Sequence, residues 1–504
     1  MKKIGFLRER LTHLSGSKAG SFAGDVLKLV SGTTFAQVFA ILVAPFLTRL
    51  YAPASFGVFA IFLSITSIIT VTACMRYELS IMLPETDAEA ANLLGGCLGL
   101  VVVISALTIP LILMGRGPLL HYLNSPELGP YLWMVTPLVF VGGVLLALNY
   151  WNSRTKHFGR LSICRMISSV STGSAQVGSG YAGLATGGSL IGASLFGQTL
   201  ATAVLGRQVW RDHGELLRKS VSFRGILQGL WRFRKFPLMD LGGALLNNVS
   251  WQLPALFLAF FFSNTIVGFY ALADRVIKLP MSLVGAAISQ VFYQRASEVR
   301  GDRPKLAEVV QGVFRRLVAL AMFPALLLTF LGRDFFEVVF GNQWSEAGIF
   351  VQILGLWMFF WFISSPLSTI FAVLERQELA LVVNLAIFGT RIASLLVGGM
   401  LKSVYLCLVL FAGSGIIVYG GYALWNLTLA GVRLRASALI LGQYIIYSIP
   451  GIALLILLKR LSLAPVWLTL LAGVELLVYY LLILRHEPEV WQSLRTFAGA
   501  NAKN

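Results

Sequence analysis

Apolar runs of roughly twenty residues follow one another from Leu27 onward, and the short segments between them carry most of the charge. No other feature limits the possible folds so tightly. A helix needs roughly 20 mostly apolar residues to cross a hydrocarbon core of about 30 Å. Lipid offers no partner to a bare N–H or C=O, so each run reads as a helix that satisfies its own backbone. The approximate spans are 27–48, 56–75, 91–114, 131–151, 161–181, 184–206, 238–262, 265–292, 311–331, 347–373, 379–401, 404–427, 438–458 and 463–484. The fifth is the least apolar, with Arg165 and a run of Ser, Thr and Gly, and no charge separates it from the sixth. Charged residues make up 12% of the 504 and hydrophobic ones 57%. A soluble chain carries about a quarter charged residues. The expected fold class is an all-α polytopic membrane protein with about fourteen transmembrane helices.

The net charge of +18 would point to nucleic acid in a soluble protein. Here the cations sit between apolar runs, which points to anionic lipid headgroups and topology instead, and no nucleic-acid partner is expected. The terminal turns of a span are counted with the adjoining segment. On that basis 31 of the 40 Lys and Arg fall on the side of the N-terminus, 6 on the other side, and Arg275, Lys278 and Arg391 inside spans. Cytoplasmic segments are the basic ones, so both termini are expected in the cytoplasm. The stretch before Leu27 is basic and has no small-residue cleavage site, so it reads as an uncleaved N-terminus.

The longest connection, 207–237, holds eight Lys and Arg and divides the chain in two. Its composition suits either a helix on the cytoplasmic leaflet or a plain positive-inside anchor. The resulting organisation is a basic N-terminus (1–26), an N-lobe (27–206), the linker (207–237), a C-lobe (238–427), two further spans (428–484) and a tail (485–504). The lobes look related. FLTRLYAPASFGVFA (46–60) aligns without gaps to FLAFFFSNTIVGFYA (257–271), with Phe46/Phe257, Leu47/Leu258, Gly57/Gly268 and Ala60/Ala271 identical. Each stretch ends the first span of its lobe and begins the second in the same direction. That is a parallel repeat about an axis along the membrane normal, an arrangement that in transporters places the substrate path between two lobes.

A charge at the bilayer centre costs roughly 2.5–3.5 kcal/mol on insertion scales, so it turns toward protein or water. The eighth span holds Asp274, Arg275 and Lys278, of which Asp274 and Lys278 can pair at i, i+4. Arg391, in the eleventh, has no acid on its own helix. Arg49 ends the first span, where a snorkelling anchor is the ordinary role. Gln37 in the first span and Asn247 in the seventh could line the inter-lobe space or bond between helices. Asp25, Glu78, Asp240 and Asp274 are the candidate acids for a coupled proton or sodium ion, although a purely structural role is the more ordinary one for Asp240 and Asp274. The intramembrane balance is cationic. A cationic, wet path suits a phosphate or pyrophosphate, onto which Arg forks two hydrogen bonds.

The five histidines are scattered, there is no HExxH, GxxxxGK[ST] or GxSxG, and the outer loops are short, so no enzyme and no cofactor are expected. The four cysteines lie in or at the ends of apolar runs without metal spacing and read as small hydrophobes.

LTRLYAPASFGVFAIF (47–62), MRYELSIMLPE (75–85) and AANLL (90–94) resemble the polysaccharide flippase family of the multidrug/oligosaccharidyl-lipid/polysaccharide exporter superfamily, and GGSLIGASLFGQ (187–198) extends the likeness. The resemblance implies two six-helix lobes plus two C-terminal helices around a central cavity. It implies alternating access for an undecaprenyl-pyrophosphate-linked glycan of O-antigen, capsule or exopolysaccharide synthesis in the bacterial inner membrane. Membrane lipids, and a glycan polymerase or export machinery, are the implied partners. A cation-coupled multidrug antiporter would share the fold and would be expected to keep a carboxylate deep in its cavity. Murein lipid flippases are similar in size and span number. Their usual basic residue in the outer half of the first span has no clear counterpart here before Arg49.

Overall fold

The computed structural model describes residues 18–486, with side chains from Ser31 to Arg485 apart from positions 283, 286, 287 and 377. The described residues form helices and turns, without a strand. In chain order the helices are α1 (Lys18–Leu50), α2 (Pro53–Thr70), α3 (Asp87–Tyr122), α4 (Val135–Arg154), α5 (Phe158–Tyr181), α6 (Gly187–Ser220), α7 (Phe223–Arg232) and α8 (Leu241–Phe261). There follow α9 (Asn264–Pro280), α10 (Ala286–Glu298), α11 (Arg303–Phe340), α12 (Ser345–Leu367), α13 (Gln377–Met400), α14 (Val404–Leu429), α15 (Leu434–Arg460) and α16 (Pro465–His486). Polar residues punctuate them. Thr86, Ser222, Ser263 and Ser403 each accept a backbone N–H of the following first turn, and Thr186 and Ser189 form a reciprocal capping box.

Twelve helices among the described residues are long and apolar enough to cross a membrane, so the chain is a multi-pass membrane protein. The two expected spans that fall short of that apolarity are both helical. One is α5, cleanly separated from α6 by a turn in which Gly183 takes φ +80°. The other is α9 with α10, joined through a π-helical turn at Met281–Gly285. Pro280 has no N–H to give to the preceding turn, and the helix widens there rather than ending.

Helices α1–α6 form the N-lobe, α8–α14 form the C-lobe, and α15 and α16 pack on α11. There Tyr479 donates to the Ala319 carbonyl at 3.0 Å and Lys459 pairs with Asp334 at 2.5 Å. The connection between lobes is more helical than its charge implied. Helix α6 runs past residue 207 to Ser220, and only α7 lies as a separate amphipathic helix. Its Ile226 and Leu230 pack near Gly95 and Gly96 of α3, while Phe223 and Trp231 stay exposed.

The repeat read from the sequence is visible as a reciprocal contact. A Cβ on Gly57 would stand 1.7 Å from the Asn264 carbonyl oxygen, and one on Gly268 would stand 1.9 Å from that of Pro53. Asn264 follows Pro53 by the same 211 positions that separate Gly268 from Gly57. Residue and partner exchange across a pseudo-two-fold axis, as in an isologous interface. Glycine is required at both places because backbone meets backbone. The contact lies at the end of the bundle away from the basic segments. Other bonds close the same end. Thr48 offers its carbonyl to Trp344 Nε1 at 2.8 Å and to Gln343 Nε2 at 2.6 Å, and Asn124 donates to the Phe260 carbonyl at 2.8 Å.

Candidate substrate path between the lobes

Below that closure two chambers open between the lobes, and the charged turn of α9 stands between them. The first, about 490 Å³, is lined by α1, α4 and α5 and by Arg275 of α9. Its wall is rich in hydroxyls and amides, including Thr33, Gln37, Asn149, Ser168, Thr172 and Gln176. Two cations face it, Arg165 and Arg275, and no carboxylate is among its described lining residues. Arg165 donates to the Thr33 hydroxyl, and Arg275 Nη2 donates to the Ala40 carbonyl at 2.9 Å. Thr33 and Ala40 are seven residues apart on one helix, so the two guanidiniums are anchored at levels about 10 Å apart along α1.

The second chamber, about 650 Å³, is lined by α2, α4, α6, α8 and α9. It holds Ser64, Ser67, Gln198, Trp251 and Gln252, with Arg76 and the pair Asp274 and Lys278. Lys278 Nζ lies 2.6 Å from Asp274 Oδ2 along one face of α9. Trp251 joins this chamber to the C-lobe core, with Lys278 Nζ 5.0 Å and the Arg391 guanidinium 4.4 Å from its ring. Cations over an indole face are attracted by its quadrupole.

The residues singled out in the sequence take distinct places. Arg275, Lys278 and Gln37 face the two chambers, as does Asp274 through its pair with Lys278. Arg391 lies inside the C-lobe, 5% exposed, donating to the Ser250 carbonyl at 3.1 Å, the Ser250 hydroxyl at 2.9 Å and the Tyr419 hydroxyl at 3.0 Å. Among the described residues, its link to the chamber lining is Trp251. Arg49 sits in the closed end, donating to the carbonyls of Pro45 at 3.0 Å and Val339 at 3.2 Å. Asn247 is exposed, whereas its neighbour Asn248 bonds Ser67 at 3.1 Å. Glu78 is buried beside Arg76, which also holds Asp240. The side chain of Asp25 lies outside the described residues.

Sequence reasoning passed over Asn149, Trp251 and the hydroxyl face of α5 as lining residues. The signal for α5 was present: the Ser and Thr run that makes it too polar for an ordinary span is its chamber face. Among the described residues no group of three or more His, Cys, Asp or Glu is placed to hold a metal ion, and all four cysteines are buried and free.

Comparison with known proteins agrees with this architecture. The inward closed conformation of the lipid II flippase MurJ superposes with a TM-score of 0.73 at 12% identity, covering 92% of this chain and 99% of that one. An inward-facing multidrug resistance MATE transporter of the MOP superfamily superposes with a TM-score of 0.57 at 15% identity, covering 80% and 95%. At such identities the likeness is one of fold. No curated protein matches the sequence. The family profile described as polysaccharide biosynthesis protein matches residues 46–348, more than half of the chain. On that match, the chain belongs to the polysaccharide biosynthesis protein family, and it has the fold seen in MurJ and in the MATE transporter.

Proposed function

We propose that the protein flips an undecaprenyl-pyrophosphate-linked oligosaccharide across the bacterial inner membrane by alternating access. Its basic end faces the cytoplasm. The observation that carries this reading is the composition of the first chamber. Hydroxyls and amides suit sugar hydroxyls, and two arginines without a facing carboxylate suit a diphosphate. A pyrophosphate alone cannot cross hydrocarbon, and a wet cationic wall offsets its desolvation. Arg275 is the deep diphosphate contact, Arg165 stands nearer the basic end, and Gln37 is a sugar contact. The polyprenyl tail stays in lipid.

A cation-coupled drug exporter fits less well. The one acid lining either chamber among the described residues, Asp274, is held by Lys278 rather than free to take up a cation. A murein lipid flippase shares the fold, and the match to the polysaccharide biosynthesis protein family supports the polysaccharide reading.

The test is a flipping assay in proteoliposomes with three probes: an undecaprenyl-pyrophosphate oligosaccharide, lipid II, and an amphipathic cationic drug. Movement of the first, reduced about thirtyfold in Arg275→Gln, is the expected result. Preferential movement of lipid II, or cation-driven movement of the drug alone, overturns the substrate assignment.

A further inference from the structure

Where the lobes meet at the basic end, the chain after α2 makes an unusual turn. Met75 and Arg76 both take positive φ, 52° and 65°, a region that non-glycine residues visit rarely. A short 3₁₀ segment, Tyr77–Met82, follows. The turn aims Arg76 across the lobe boundary. Its Nε lies 2.5 Å from Asp240 Oδ2, in the π-helical turn that starts α8, and its Nη1 lies 3.3 Å from Glu78 Oε1. One guanidinium thus serves two carboxylates, one from each lobe, and with both ionised the trio keeps one uncompensated negative charge.

The two acids differ. Asp240 is about half exposed, and water screens it. Glu78 is 0% exposed, and its second oxygen, Oε2, is buried without a hydrogen-bond partner. An unpartnered buried carboxylate oxygen is costly, and a proton is the smallest ligand that removes the charge. Other polar groups near the segment leave the excess charge in place. Tyr77 donates to the Leu230 carbonyl of α7 at 3.0 Å, and Arg154 of α4 is committed to Asp87 and to the carbonyls of Ile81 and Pro84. The other titratable groups near Glu78 are Tyr150 of α4 and Cys97 of α3, with Cys74 beside Cys97, and none of them is a cation that could offset the excess charge.

We propose that Glu78 is a proton-binding site that sets a latch between the lobes. With Glu78 protonated, Arg76 belongs wholly to Asp240 and the basic end is held shut. With Glu78 ionised, the guanidinium is divided and the latch loosens. The proton arrives from water through the second chamber, which Arg76 lines, and returns the same way. Burial pushes the Glu78 carboxyl up from its ordinary value, against its backbone hydrogen bond and the pull of Arg76. The latched state therefore binds the proton more tightly than a parted state in which Glu78 meets water. Latching is fully present below the ordinary glutamate pKa and is lost as pH rises through the raised one. Proton binding and lobe closure are then linked, as an ion-coupled transporter requires. The inference rests on the transport reading for its consequence, and its test needs no substrate.

The test uses the full-length protein in lipid nanodiscs, with spin labels on Glu85→Cys and Gly301→Cys. Both sites are exposed at the basic end, one on each lobe, and the four native cysteines are buried. Pulsed-resonance distances are compared at about pH 5.5 and about pH 8.5. In the wild type the short distance should give way to a longer one as pH rises. The ratio of the two should change about tenfold for each unit by which the Glu78 pKa differs between states. Glu78→Gln should stay short, and Asp240→Asn long, at both pH values. A wild type indifferent to pH, or a Glu78→Gln protein that still responds, overturns the latch. If Glu78→Gln does not fold, the half-exposed Asp240→Asn decides: a pH response that survives it is fatal to the idea. Since no glycan is present, this outcome is independent of the flipping assay.

Discussion

Two seams join the lobes, and the pseudo-two-fold axis relates one to the other. In the first, α2 meets α8. Ser64 donates to Gln252 at 3.0 Å, Asn248 to Ser67 at 3.1 Å and Gln252 to Ser67 at 3.3 Å, with Arg76 and Asp240 closing the basic end. In the second, α9 faces α1. Carrying the 211-residue offset along these helices, Ser64 corresponds to Arg275, Ser67 to Lys278, Asn248 to Gln37 and Gln252 to Ile41. Arg275 still crosses to the Ala40 carbonyl at 2.9 Å, but Lys278 turns to Asp274, and the 490 Å³ chamber opens beside Arg275 and Gln37. One scaffold thus carries two chemistries. Short neutral side chains zip one seam, and long cations stand at the matching positions of its twin, beside the open chamber. The two halves share helix geometry and differ in side-chain chemistry at these few matched positions.

The largest effect tests the axis itself. Gly57→Ala and Gly268→Ala each put a methyl within 2 Å of a backbone carbonyl, which neither side can move without parting the helices. Each should destabilise the fold by about 3 kcal/mol, at the upper end of overpacking costs, and by nearly equal amounts. Thermal unfolding midpoints of the two purified variants check this. A large inequality would mean that the two contacts are not equivalent, and that the axis does not organise the interface.

A smaller and more selective effect is expected at the next matched pair. Arg275→Ser installs in the open seam the residue that its zipped counterpart carries. Losing one charge-assisted bond to a phosphate costs about 2 kcal/mol, so flipping should fall about thirtyfold at unchanged protein level. Ser64→Ala, the matching change in the zipped seam, should fall less than about twofold. Equal losses at the two positions would erase the distinction between hinge and path.

The comparison also shows which levels of structure the residues disclosed. Hydropathy and the basic asymmetry disclose spans and alternation, because lipid acts on every residue of a helix in the same sense. Of the spans that read worst, α5 and α9 turn polar faces into the chambers, which is why their apolarity is weak, whereas α10 lines neither chamber. Side-chain direction is coded less locally. Asn247 and Asn248 differ by one position, which is about 100° of helix, and only the second meets Ser67. The partners of Arg391 come from α8 and α14, 141 and 28 residues away, and nothing on its own helix announces them. The capacity of Arg76 to join the lobes depends on two residues in the left-handed region, which no glycine advertises.

The smallest effect concerns how firmly the zipped seam is closed. Ser67 bonds both Asn248 and Gln252, so Ser67→Ala removes two of its three neutral cross-links and leaves the Ser64–Gln252 bond. Interhelical hydrogen bonds in membranes are worth about 0.6 kcal/mol each, since the alternatives also find partners. A double-mutant cycle of Ser67→Ala with Asn248→Ala should therefore give a coupling of about 0.6 kcal/mol in unfolding free energy. The same cycle at the matching pair, Lys278→Ala with Gln37→Ala, should give a coupling near zero, because Lys278 is spent on Asp274 rather than on Gln37. A coupling of the first size at the second pair would show that the twin seam also closes in solution. The contrast between the seams would then describe one stage of a cycle in which each takes its turn as the hinge.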